Sequence, residues 1–181
     1  MSNSKFKIFD ELFFHEDDYL QIEIIPKDNF FQKSKNISET EYNYSEHGFT
    51  DIIFRESNKV PTLSLEITKK NLVSILKKHA LAKFDKIYSG YGSTTNILQK
   101  RTQAFGYEDY AILFDYDKSI VKNIWLIFDP DLHLPFHNYR NLTKVLIDIG
   151  KIWNLILIDW NEDVIVDLKS KEKITHYLNS L

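Results

Sequence analysis

Residues 154–168 read NLILIDWNEDVIVDL, and this stretch decides the fold. Leu155 to Ile158 are apolar without a break, so an extended chain would show hydrophobic side chains on both of its faces. That is the pattern of a strand covered on both sides. Trp160–Asp163 is polar and turn-like. Beyond it the pattern alternates, with Val164, Val166 and Leu168 on one face and Asp163, Asp167 and Lys169 on the other. The stretch therefore predicts a hairpin of one central strand and one half-exposed strand. Its tip and outer face gather the carboxylates Asp159, Glu162, Asp163 and Asp167. Such a gathering is an active site, a surface for a partner, or only the polar end of a hairpin.

Helical periodicity flanks the hairpin. Leu142, Val145, Leu146 and Ile149 recur at helical spacing, with Asn138 or Asn141 as the expected cap and Gly150 as the expected stop. Ser170 can cap a last helix with Ile174, Tyr177, Leu178 and Leu181 on one face. Upstream, YAILFDY (110–116) and NIWLIFD (123–129) read as strands joined by DKSIVK. YLQIEII (19–25) reads as a strand closed by Pro26, and the polar residues 27–47 as an irregular loop or insertion. FTDIIF (49–54) and TLSLEI (62–67) read as a further hairpin. Thr68 then caps a helix carrying Leu72, Ile75, Leu76, His79 and Ala80 on one face. Gly90 and Gly92 mark a polar turn in FDKIYSGYGSTTN (84–96), before a weaker helix over Thr95–Gln103. The sum is an α+β fold across residues 1–181 as a single domain. Its sheet is mixed and mostly antiparallel, with about six to seven strands and three or four helices.

A chain of 181 residues can bury roughly 70% of its unfolded surface, enough for a core without staples. The absence of cysteine excludes disulfides, thiolate zinc sites, iron–sulfur ligation and cysteine nucleophiles. The N-terminus lacks a signal-peptide pattern, and no apolar run approaches the roughly 18 residues of a membrane helix. A soluble, cytoplasmic protein is the expectation. Net charge is −3, unevenly spread. Residues 1–66 hold 7 basic and 13 acidic side chains, whereas residues 67–101 hold 8 basic ones against Asp85 alone.

Three chemistries compete. A metal-dependent nuclease of the PD-(D/E)xK type needs two carboxylates on the metal and a lysine by the attacking water. The chain resembles that pattern at Pro130-Asp131 and at Asp167-Leu168-Lys169, where Asp and Lys leave one face of a strand. It departs in the long gap between Asp131 and Asp167. The basic band at residues 69–101, with SGYGSTTN, Tyr88 and Tyr91, could bind nucleic acid through phosphate contacts and stacking. The plainer reading is that Lys77, Lys78, Lys83 and Lys86 solvate an outer face. His133 and His137 stand four apart, but Pro135 between them argues against a helical zinc site. His79 on an apolar face reads as a core or boundary histidine. No metal and no cofactor is expected.

The third chemistry is to bind rather than to catalyse. Acid clusters on short turns complement a cationic partner and raise association rates. Glu16, Asp17 and Asp18 form one such cluster, Asp115 and Asp117 another, and Trp160, Glu162 and Asp163 a third. Around Trp125, Asp159, Trp160, Val166, Asp167, Leu168 and Tyr177-Leu178 the last third resembles immunity proteins against bacterial polymorphic toxins of contact-dependent inhibition and type VI systems. That resemblance implies a non-enzymatic protein that binds and neutralises a cognate toxin domain, often a nuclease.

Overall fold

The computed structural model describes residues 9–38, 44–45, 48–49, 57–91, 94–97, 101–107, 109–128 and 139–181. In chain order the first elements are β1 (Phe9–His15), β2 (Ile22–Pro26), α1 (Phe30–Ser38), β3 (Tyr44–Ser45), β4 (Gly48–Phe49) and α2 (Lys69–Lys78). There follow β5 (Ala82–Tyr91), β6 (Thr94–Ile97), β7 (Thr102–Gly106), β8 (Tyr110–Asp117) and β9 (Ile120–Phe128). The chain ends with α3 (Arg140–Trp153), β10 (Leu155–Asp159), β11 (Val164–Asp167) and α4 (Lys171–Ser180). The class is α+β, as the sequence predicts, with more strands than expected. Eight strands follow the order β1-β5-β7-β8-β9-β2-β10-β11, and β6 pairs with β5 outside that path. The β1–β5 pair is parallel, while the neighbours from β5 to β11 run antiparallel.

Alternation explains how the sheet divides its side chains. Ile112, Phe114, Ile124, Leu126, Leu155 and Leu157 point to one face, where they meet Leu72 and Leu76 of α2, the stripe of α3, and Ile174, Tyr177 and Leu178 of α4. On the opposite face Ala111, Leu113 and Trp125 pack with Phe14, Phe84 and Ile87. Ile25, Ile156 and Ile158 pack there beneath Ile37 and Trp160. β10 is thus covered on both sides, as its unbroken apolar run requires. Of the alternating residues after it, Val166 and Leu168 are buried, but Val164 at the strand's outer end is exposed. Leu181 is exposed as well, so the stripe of α4 stops at Leu178.

Several local expectations are corrected. The strand at 19–25 starts only at Ile22, because Leu20 takes a left-handed φ of 58° and turns the chain. Residues 27–47 are not all loop: a turn at Lys27–Asn29 leads into α1, whose buried side meets the sheet through Lys33 and Ile37. TLSLEI forms a 3-10 turn at Thr62–Leu65, ended by Glu66 at φ 51°, rather than a strand. Its proposed partner FTDIIF reaches only Phe49 of β4, and residues 50–54 lie outside the described residues. The glycine-marked turn begins inside strand β5, and the helix expected over Thr95–Gln103 is replaced by β6 and β7. β5 buries Ala82, Phe84 and Ile87 and exposes Lys83, Asp85 and Lys86, so its apolar face outweighs the glycine signal.

The three other predicted helices stand, with revised ends. Thr68 caps α2 by accepting from the Asn71 N–H at 3.2 Å. Ala80 lies outside the apolar stripe: at φ 62° it closes a Schellman end, with the Leu81 N–H on the Leu76 carbonyl and the Ala80 N–H on that of Lys77. Tyr139, not an asparagine, holds the N-cap position of α3, and Asn141 instead donates to the Tyr107 hydroxyl at 3.0 Å. Gly150 sits inside α3, which ends at Asn154 with φ 55°. Among the described residues no helix is long and apolar enough to cross a membrane.

Candidate partner-binding surface

The Glu16–Asp18 cluster forms one 3-10 turn directly after β1, and all three carboxylates are exposed. The turn is fixed by the His15 N–H, which donates to Asp18 Oδ2 at 3.2 Å. Leu20 then sends Tyr19 back across the sheet, edge-on to Trp125 with ring centres 4.9 Å apart. The Tyr19 hydroxyl donates to Asp115 Oδ2 at 2.8 Å, while Thr102 donates to Asp115 Oδ1 at 2.7 Å. Burial, reinforced by the Asp115 carboxylate, pushes the Tyr19 hydroxyl up to about 12, so it remains a donor at neutral pH. Asp115 therefore anchors the acidic turn from beneath instead of adding to its outer face. Asp117 lies past a bulge in β8, is exposed, and has Lys122 Nζ at 3.9 Å.

The third cluster is rearranged more strongly. Asp159 is buried and takes the Asn161 and Glu162 N–H groups on Oδ1 and the Tyr177 hydroxyl on Oδ2. It builds the hairpin turn from within. Trp160 is half-buried, and its indole N–H donates to Glu23 Oε1 at 2.9 Å. Lys33 Nζ stands 5.4 Å from the centre of the same ring. Asp163 is half-buried at φ 52°, which leaves Glu162 as the exposed carboxylate of this turn. The Trp160 backbone N–H donates to the Gln21 carbonyl at 2.9 Å. β2 begins and β10 ends at that point, so the turn that carries Glu162 lies beside the start of β2.

Asp167 and Lys169 do not form a free catalytic pair. Asp167 Oδ1 accepts from the Lys169 backbone N–H at 3.0 Å and Oδ2 pairs with Lys27 Nζ at 2.5 Å. Partial burial raises this carboxyl, but the bonds from Lys27 and Lys169 outweigh it and hold the group below the usual range. Pro130, Asp131, His133 and His137 lie outside the described residues, as does Gly92. Among the described residues no group of three or more acidic or histidine side chains has a metal-binding arrangement. His79 is a boundary histidine, bonded through Nε2 to Asp148 at 2.7 Å.

The basic band is divided among elements. Lys78 pairs with Asp148 at 2.8 Å and Lys86 with Glu11 at 2.7 Å, while Lys69 covers the Tyr116 ring at 4.3 Å. Lys77 on α2 and Lys83 on β5 are exposed. The partners that sequence reading missed are Glu23 and Lys33. A signal for Glu23 is present: strand alternation puts it on one face with Ile25, where a carboxylate needs a donor. Lys33 offers no comparable signal, because a lone lysine in a polar stretch predicts exposure.

No protein-family model, curated protein or solved structure matches the chain.

Proposed function

We propose that this is a non-catalytic immunity-type protein that binds and neutralises a cognate toxin domain in the cytoplasm of the producing cell. The observation that carries the reading is the turn at Glu16–Asp18. Three successive exposed carboxylates are held on a pinned turn between the exposed rings of Phe13 and Tyr19. Preordered acids beside aromatic anchors suit a cationic active site, because charge speeds the encounter and the rings supply buried contact area. Glu162 on the hairpin turn and Asp117 at the end of β8 are the other exposed acids expected to contribute. Asp115, Asp163 and Trp160 support this surface from beneath or from its edge.

The test is co-expression with the C-terminal domain of a large secreted protein encoded beside this chain. A stable one-to-one complex that silences the domain's activity is expected. Changing Glu16, Asp17 and Asp18 together to lysine should slow association by about tenfold or more at low salt, with folding retained. A purified chain that itself cuts DNA or RNA with magnesium, and loses this on Asp167→Ala, would overturn the proposal in favour of the nuclease. Salt-sensitive oligonucleotide binding lost on neutralising Lys77 and Lys83 would overturn it in favour of a nucleic-acid-binding module.

A further inference from the structure

β2 and β9 pair only at Ile22 with Leu126 and at Glu23 with Trp125, and beyond that point they part. The 3-10 turn at Thr62–Leu65 packs against both strands but does not fill the space between them. A pocket of about 180 Å³ remains, with Leu20, Glu23, Asn58, Thr62, Lys122 and Asn123 on its lining. Its acceptors are short of donors. Glu23 is only 9% exposed, and its Oε1 accepts from the Trp160 indole. Among the described residues its Oε2 receives no hydrogen bond and the carboxylate has no ion pair. The Asn58 amide oxygen is buried with no partner. Asn123 directs its N–H groups to the Tyr19 hydroxyl and to Asp115, which leaves its Oδ1 as an acceptor. Lys122, the one cation among the described lining residues, has Asp117 at 3.9 Å.

A buried carboxylate short of donors is costly, and a polar pocket of this kind is filled by water or by a group rich in N–H donors. The volume falls below the roughly 300 Å³ at which small-molecule sites begin, so it fits the head of one side chain rather than a cofactor. Guanidinium suits it better than ammonium. Its donors fan out in one plane toward separate acceptors, and its weaker hydration lowers the cost of entering a buried site. Position supplies the source. Leu20 directly follows Tyr19, whose hydroxyl accepts from Asn123 at 3.3 Å, so the pocket adjoins the surface of the acidic turn. We propose that this pocket receives the guanidinium of an arginine side chain carried by the protein partner, a role that rests on the partner-binding reading of that turn. Glu23 is the counter-ion, and Asn58 and Asn123 are the neutral acceptors.

Titration of the full chain with Nα-acetylarginine amide tests the site with no partner present. The Trp160 indole N–H signal in nitrogen–proton NMR spectra is the readout, because that group bonds the Glu23 carboxylate. The arginine probe is expected to shift the signal saturably, and Nα-acetylcitrulline amide, its neutral isostere, to leave it unmoved. Nα-acetyllysine amide should bind more weakly than the arginine probe. Glu23→Gln keeps an oxygen for the indole and should weaken the arginine probe by about tenfold or more. No saturable shift, equal shifts from arginine and citrulline, lysine binding as tightly as arginine, or full arginine affinity in Glu23→Gln each overturns the proposal. The comparison of probes on the parent chain decides even where the variant does not fold. Failure here leaves the acidic turn to the co-expression test, which does not depend on this pocket.

Discussion

Tyr177 of α4 donates its hydroxyl to Asp159 Oδ2 across 2.6 Å, at a buried point where the last helix meets the end of β10. The other oxygen of Asp159 holds the turn of the hairpin through the Asn161 and Glu162 N–H groups. One carboxylate therefore links the C-terminal helix to the turn that carries Glu162. Burial and the Asp159 charge together raise the Tyr177 hydroxyl far above its ordinary value, so it serves only as a donor.

Removing that hydroxyl should be felt as stability, not as activity. Tyr177→Phe leaves a buried acceptor short of one donor, at a cost of about 1–3 kcal/mol. Urea unfolding should show this loss, while association with a basic partner at neutral pH stays unchanged because Glu16–Asp18 are untouched. A variant as stable as the parent would mean that water replaces the hydroxyl at no cost.

Tyr19 gives a titration that can be read directly. Its folded value of about 12 is raised above the ordinary 10.0, first by burial and then by Asp115. A raised value means that its stabilisation is complete below about 10 and is lost as pH rises through about 12. The difference in ultraviolet absorbance between the parent and Tyr19→Phe should therefore show one phenol ionising near pH 12. Asp115→Asn should lower that midpoint. A difference spectrum with its midpoint near 10 would show that Tyr19 is free of Asp115 in solution, and the acidic turn would lose its anchor.

At the acid end the sign reverses. Asp148 is held below 3.8, first by the hydrogen bond from Lys78 and then by that from His79, and Asp167 also lies below 3.8. Depressed carboxyls contribute stability above their unfolded value that disappears as pH falls through the folded one. Stability should thus decline as pH drops below about 4. Asp167→Asn should lower stability at neutral pH and flatten the decline. An unchanged pH profile in that variant would show that the Lys27–Asp167 pair contributes nothing measurable, as many exposed pairs do not.

How far the sequence disclosed this molecule depends on how densely each segment was patterned. β10, β8, β9 and the stripes of α2, α3 and α4 were legible because most of their residues bury on the predicted faces. α1 was not, since its inward side is a lysine and one isoleucine, too little for periodicity to register. TLSLEI alternates but folds as a 3-10 turn, and its Leu63 stays exposed. Pairings such as β1 with β5, or β2 between β9 and β10, depend on contacts far apart in the chain, which local pattern does not encode. At the surface, the exposed acids of Glu16–Asp18 were legible, whereas the roles of Asp115 and Trp160 depended on Tyr19 and Glu23, which only the folded chain brings to them.

Gly150 separates packing from helix propensity. Alanine is the better helix former by about 1 kcal/mol, so propensity alone predicts that Gly150→Ala stabilises α3. A Cβ at this position would lie 2.4 Å from the Leu168 Cβ and 2.5 Å from the Leu168 carbonyl oxygen. Two of the three nearest atoms are backbone, which no rotamer change relieves. α3 must then move away from the end of β11, at an overpacking cost of about 1–3 kcal/mol that outweighs the propensity gain. Thermal unfolding should place Gly150→Ala below the parent. Gly150→Ala with Leu168→Ala should not recover the loss, because the Leu168 carbonyl remains. A melting temperature at or above the parent's would show that α3 can shift freely, and that its seat against Leu168 does not fix the hairpin.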